Sequence, residues 1–287
     1  MKGIIKSLRI KQWLKNGFLL AALVFDRQLT NFSAAARIFV GIIIFSILSS
    51  SVYIFNDIGD CETDRLHPKK KTRPLAAGRV SLFAASILSI ILALTASFLA
   101  AAVSKMALII VVGYAGLNIA YSLRFKNIVI LDVFCIAAGF MLRILAGTTG
   151  VGIPPSKWLL LCGLMITLFL GFAKRRAEVV ALAKKRGKHR SVLDHYSSAL
   201  LDEVGAICAT GAIITYSLYT TSEQTAQVHN TENLVFTVPY VMYALFRYIF
   251  LVHKRQAGGE PGHDIFKDRH IIAAILGWAI TTVIFIV

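Results

Sequence analysis

The stretch Asn56-Asp57-Ile58-Gly59-Asp60-Cys61-Glu62-Thr63-Asp64-Arg65-Leu66-His67-Pro68-Lys69-Lys70-Lys71-Thr72-Arg73-Pro74 stands between two apolar runs, and that setting decides how the chain is read. Acidic groups beside a membrane interior are costly to keep, so they mark function more often than an ordinary loop does. Asp57, Asp60 and Asp64 fall at i, i+3 and i+7, which is one face of a helix. Oxygens stacked in this way suit Mg²⁺ carrying a phosphate-rich substrate, and carboxylates that close repel one another unless a cation lies among them. The plainer alternative is a solvated helix end in the headgroup region.

Outward from this stretch the chain is apolar. Of 287 residues, 56% are hydrophobic, and the mean hydropathy is +0.68, above the ~45 to 50% apolar content of soluble domains. The expected fold is all-α, a polytopic membrane bundle forming a single domain over residues 1–287. Apolar runs predict about nine spans, near residues 13–27, 34–56, 80–102, 106–122, 128–148, 157–178, 198–220, 233–252 and 270–287. A removable signal peptide is not expected, because Lys2, Lys6, Arg9, Lys11 and Lys15 lead into an apolar run with no small-residue cleavage site. This segment reads as an amphipathic entry lying on the membrane.

A formal net charge of +16 would also fit nucleic acid, but its placement points to membrane lipid instead. Lys and Arg gather at the amino terminus, in Arg65–Arg79, at Arg124 and Lys126, in Lys174–Arg190, and from Lys254 to Arg269. The opposite side receives only Arg27, Arg37, Lys105 and Lys157, while Arg143 and Arg247 fall within spans. The positive-inside rule then predicts a cytoplasmic-membrane protein whose amino terminus and chemically rich loops face the cytoplasm, with the carboxyl terminus opposite. Cys61, Cys135, Cys162 and Cys208 form no CxxC pair and are assigned no role. Gly258, Gly259, Pro261 and Gly262 mark a turn.

Four further polar constellations follow, and the sorting of charge places them toward the inner side. Arg73 can grip a phosphate in bidentate fashion, whereas Lys69 to Lys71 read as a lipid-facing polybasic loop. Tyr121 and Lys126 read equally as phosphate binders across a turn and as a belt aromatic with a positive-inside lysine. Asp132 and Arg143, charged and intramembrane, are expected to face a polar cavity and are too far apart to form a local pair. Lys174, Arg175, Arg176 and Glu178 suit a sugar phosphate or lipid phosphate, while Lys184 to Lys188 read as a solvated helix end. Near the amino terminus, Lys15 and Asn16 add polar donors, and lipid anchoring does not account for Asn16.

Together, the run from Asn56 to Asp64, the following Arg73-Pro74-Leu75 and the segment Tyr121-Ser122-Leu123-Arg124-Phe125-Lys126 resemble the UbiA superfamily of intramembrane prenyltransferases. The resemblance covers essentially the whole chain and implies a nine-helix bundle with a Mg²⁺-dependent site open to the cytosol. Where aromatic prenyltransferases of that superfamily carry a second aspartate-rich motif, this chain has Lys174-Arg175-Arg176-Ala177-Glu178. With Lys11-Gln12-Trp13-Leu14-Lys15-Asn16 and Asp268-Arg269, that departure is similar to the branch typified by decaprenyl-phosphate phosphoribosyltransferase. The resemblance implies transfer of 5-phosphoribose from 5-phosphoribosyl 1-pyrophosphate to a polyprenyl phosphate. Asp57, Asp60 and Asp64 would hold metal and ribose, with Asn56 positioning. Arg73, Tyr121, Lys126 and Lys174 to Arg176 would hold phosphates. Prenyl transfer to an aromatic acceptor is the alternative, and a transporter or lipid flippase is a third reading.

Overall fold

A computed structural model describes residues 2–20, 32–66, 70–183, 191–254, 265 and 267–286, and no strand occurs among them. Helix α1 is Lys2–Ser7, followed by a 3₁₀ arm, Ile10–Leu20. The rest are α2 (Phe32–Gly59), α3 (Cys61–Leu66), α4 (Leu82–Val103), α5 (Lys105–Leu123) and α6 (Leu131–Gly147), then α7 (Lys157–Ala183), α8 (Ser198–Thr221), α9 (Glu223–His229), α10 (Val238–Lys254) and α11 (Arg269–Ile286). Eight described segments are long and apolar enough to cross a bilayer, and they match the last eight expected spans within a few residues. The chain is a multi-pass membrane protein. The first expected span differs: residues 13–20 are 3₁₀, and 21–31 lie outside the described residues. Also outside are His67 to Lys69, Lys184 to Arg190 and the turn at Gly258 to Gly262.

Serines punctuate the helices. Ser81, Ser104, Ser197 and Ser222 each accept a backbone N–H from the first turn that follows, satisfying one of the donors a helix leaves unpaired. Ser104 also donates to the Gly150 carbonyl at 2.8 Å. The chain forms two compact units, residues 1–125 with 141–155, and residues 126–140 with 156–287, so α6 contributes to both.

In the first unit, α2 packs on α4, α5 and the 3₁₀ arm around Phe45, Leu48, Ile38, Leu19 and Val111. The arm meshes with α2 because the two periods match. Three residues of a 3₁₀ helix rise about 6 Å, as do four residues of an α-helix. Trp13, Asn16 and Leu19 therefore line one edge of the arm. Trp13 Nε1 donates to Ser50 Oγ and Asn16 Nδ2 to Ser46 Oγ, each at 3.0 Å, while Leu19 is fully buried. Gly147 permits the approach, since a Cβ there would stand 2.7 Å from the Leu19 Cα.

In the second unit, α7 lies along α8, and α10 pairs with α11. Their core includes Leu168, Phe169, Phe172, Leu201, Leu245 and Tyr248. Asp268 caps α11 by accepting the His270 and Ile271 N–H groups at 3.1 and 3.2 Å, and it receives Arg247 in bidentate fashion at 3.1 and 2.9 Å. The Arg247 hydrogen bonds are the main reason that the Asp268 carboxyl titrates at about 2, with the backbone donors adding to the effect and burial opposing it.

Candidate active site

At 28 residues, α2 is about 42 Å long, more than a hydrocarbon core of ~30 Å, and Asn56 and Asp57 lie in its last turn. Helical bonding continues past Gly59 into α3: the Asp60 N–H donates to the Asn56 carbonyl at 3.0 Å, and the Asp64 N–H donates to the Asp60 carbonyl at 2.8 Å. Asp57 and Asp64 are 3% and 2% exposed, and Asp60 is half-buried. Arg73 ties the buried pair together, its Nη1 standing 3.2 Å from Asp57 Oδ1 and also bonding Asp64 Oδ2. Arg9 bonds Asp57 Oδ1 as well, and Lys70 Nζ lies 3.7 Å from Asp64 Oδ1. Asp57 and Asp64 are the buried members of the expected triad, and Asp60, between them in the helical turn, is half-buried. Among the described residues no three His, Cys, Asp or Glu groups are placed to hold a metal ion by themselves. Two buried hard carboxylates sharing one cationic partner nevertheless fit Mg²⁺, which usually takes one or two carboxylates and completes its shell with water and substrate phosphates. Lys70, expected to face lipid, instead turns to Asp64.

Ser122 donates to Asn56 Oδ1, joining the end of α5 to the end of α2, and half-buried Tyr121 precedes it. Asn16 and Arg143 lie elsewhere. Arg143, buried, donates from Nε to Asn16 Oδ1 at 3.0 Å and from Nη2 to Tyr114 Oη at 2.6 Å. Asn16 bonds Ser46, eleven residues before Asp57 on α2 and so about 16 Å from it along the helix. This knot fastens the arm to the middle of α2. Lys15 is exposed on the arm.

In the second unit, Asp132 at the start of α6 is fully buried, and Arg175 Nε lies 2.6 Å from its Oδ2. Arg175 also engages Glu178, and Arg176 engages Asp202 while donating to the Val252 carbonyl at 3.2 Å. Lys174 beside them is half-buried, as is Lys126. Tyr196 was not singled out by its sequence context, yet its hydroxyl donates to Asp132 Oδ1 at 2.7 Å and accepts the Ile130 N–H at 2.6 Å. Ile130 holds φ +67°, rare for a β-branched residue, in the turn that leads to Asp132. Burial first, then donation to Asp132, pushes the Tyr196 hydroxyl above its ordinary titration range. Arg9 stands among the amino-terminal polar donors in the sequence but was not assigned to the site. Its signal was being the one arginine among the lysines of the amino terminus, since a guanidinium matches carboxylate geometry where an ammonium does not.

Residues 17–261 match the model of the UbiA prenyltransferase family. The chain belongs to that family. Among UbiA relatives, a decaprenyl-phosphate phosphoribosyltransferase of Mycolicibacterium smegmatis is 31% identical across 97% of this chain and 90% of its own length. One from Corynebacterium glutamicum is 32% identical across 96% and 84%. A UbiA homolog from Archaeoglobus fulgidus, solved bound to GPP and Mg²⁺, shares the fold at a TM-score of 0.70 and 16% identity, covering 99% of this chain and 96% of its own.

Proposed function

We propose that this UbiA-family membrane transferase is a polyprenyl-phosphate phosphoribosyltransferase that uses 5-phosphoribosyl 1-pyrophosphate as donor and depends on Mg²⁺. An oxygen of the acceptor phosphate attacks C1 of the ribose, the C1–O bond to the diphosphate breaks, and pyrophosphate leaves with the electron pair. Two full-length relatives carrying the phosphoribosyltransferase name support this reading. The observation that carries it is the replacement of a second aspartate motif by Lys174-Arg175-Arg176-Ala177-Glu178, with both arginines already engaged by carboxylates.

Asp57 and Asp64, with Asp60 beside them, would hold Mg²⁺, which supplies charge neutralisation of the departing pyrophosphate. Arg73 lies against the same carboxylates and is the donor-phosphate ligand. Tyr121, in the same unit, holds further phosphate oxygens, and Asn56, held by Ser122, orients the ribose. Arg175 and Arg176 pair with Asp132, Glu178 and Asp202, and they are assigned no phosphate here. Asn16 and Arg143 hold the arm. The acceptor phosphate is already an anionic nucleophile, so no strong general base is needed. The site opens to the cytoplasm, where the donor is soluble.

The test is incubation of the purified chain in detergent with Mg²⁺, radiolabelled 5-phosphoribosyl 1-pyrophosphate and a polyprenyl phosphate, followed by organic extraction. Label reaching the lipid phase only with Mg²⁺ and both substrates is the expected result. Folded protein that transfers nothing to short or long acceptors would redirect attention to prenyl diphosphate as donor.

A further inference from the structure

We infer that Arg9 is a built-in competitor of the divalent cation for Asp57, and that cation loading releases its guanidinium to the donor's phosphate oxygens. The inference rests on the metal and diphosphate part of the proposed function.

Arg9 reaches the acidic segment from a different element than Arg73 and Lys70 do. It sits in the turn between α1 and the 3₁₀ arm at φ +50°, a backbone region that non-glycine residues rarely occupy unless their surroundings impose it. Those surroundings are present. Ser50 Oγ donates to the Leu8 carbonyl at 2.9 Å, Trp13 holds Ser50, and the Gln12 N–H returns to the Arg9 carbonyl at 2.7 Å. The turn is therefore fixed on α2 while the side chain spans to Asp57, its guanidinium carbon 5.3 Å from the centre of the Tyr53 ring. A cation–π contact gives that guanidinium partial support off the carboxylate.

The chemistry forces a competition. Asp57 Oδ1 receives both Arg9 and Arg73, so a cation taking that oxygen must displace a guanidinium. Arg73 has a second carboxylate to retain it, Asp64, whereas among the described residues Arg9 pairs with Asp57 alone. Arg9 and Arg73 are about equally exposed, so it is the lack of a second carboxylate that makes Arg9 the partner that yields more readily. Once displaced, it is an always-charged planar donor beside a cation that binds diphosphate. One side chain would thus screen the carboxylate before loading and grip the anion after it. By linkage, removing it should move the two affinities in opposite directions.

The experiment uses the full chain in detergent, comparing wild type with R9Q and R9K. Mn²⁺ affinity is read by loss of the free-ion paramagnetic resonance signal, and radiolabelled pyrophosphate binding is measured at fixed free Mg²⁺. In R9Q, Mn²⁺ should bind about tenfold more tightly, because the competent carboxylate is no longer masked, and pyrophosphate should bind about tenfold more weakly. R9K should fall between. Mn²⁺ affinity that falls or stays unchanged in R9Q would overturn the inference, the former marking Arg9 as local scaffolding. Pyrophosphate binding that does not weaken would overturn the release step. The Mn²⁺ measurement needs neither ribose donor nor lipid acceptor, so failed phosphoribosyl transfer would leave it standing.

Discussion

Asp57 and Asp64 do two jobs at once, and that separates them from Asp60. Each closes a buried charge against arginine or lysine, so Asp57→Asn or Asp64→Asn should cost about 1 to 2 kcal/mol of stability, allowing for solvent near the half-buried partners. Both should also lower turnover by at least about 100-fold if they hold Mg²⁺. Asp60→Asn should also lose activity, and because Asp60 is half-buried its melting temperature should fall less than at the two buried positions. Differential melting beside the transfer assay checks this, and full activity in any two of the three would remove the metal assignment. The residue types of this site were legible from spacing and from their place beside an apolar run. Their partners were not. Charge sorting puts Arg9, Arg73 and Arg175 on the inner side but says nothing of which carboxylate each meets, and Asp132 meeting Arg175 and not Arg143 depends on helix packing absent from any local pattern.

Helices gave themselves away by length and apolarity, and the arm did not, because its three-residue period resembles neither an amphipathic α-helix nor a span. Gly147→Ala should force Leu19 and the arm off α6, costing about 1 to 3 kcal/mol, and should speed tryptic cleavage after the already exposed Lys11 and Lys15 by loosening the backbone that holds them; unchanged cleavage would show that the contact yields without consequence. At the other end of the chain, α11 depends on its Asp268 cap. The carboxyl pKa is depressed in the folded state to about 2 from roughly 3.9 in the unfolded chain, so its stabilising effect is fully present above the unfolded value and fades as pH falls toward the folded one. Asn can still cap, so Asp268→Asn removes chiefly the charge. The melting difference between wild type and Asp268→Asn should therefore be constant above about pH 5 and shrink between about pH 4 and pH 2. A constant gap down to pH 2 would mean that Arg247 does not depend on the Asp268 charge.

For the molecule as a whole, one prediction follows from the segregation of Lys and Arg. The four native cysteines are buried, so they give little background to a membrane-impermeant maleimide. In sealed, right-side-out vesicles, Lys105→Cys should label from outside, and Arg124→Cys only after the inner face is opened, both positions being exposed. The reverse pattern would invert the proposed orientation. The length of α2 carries a further consequence, for the choice of host membrane. At about 42 Å the helix is longer than the hydrocarbon of an ordinary bilayer, and with its carboxyl-terminal end at the inner face, as proposed, a bilayer several ångströms thicker would draw Asn56 and Asp57 toward hydrocarbon, where neither the charges nor a water-soluble donor is at home. Reconstituted into a series of phosphatidylcholines of increasing acyl length, the enzyme should keep its fold while turnover falls beyond an optimum. A flat response would mean that the bilayer thins around α2 and leaves the site at constant height. The lipid in which the protein is studied is thus a variable of the reaction as much as either substrate.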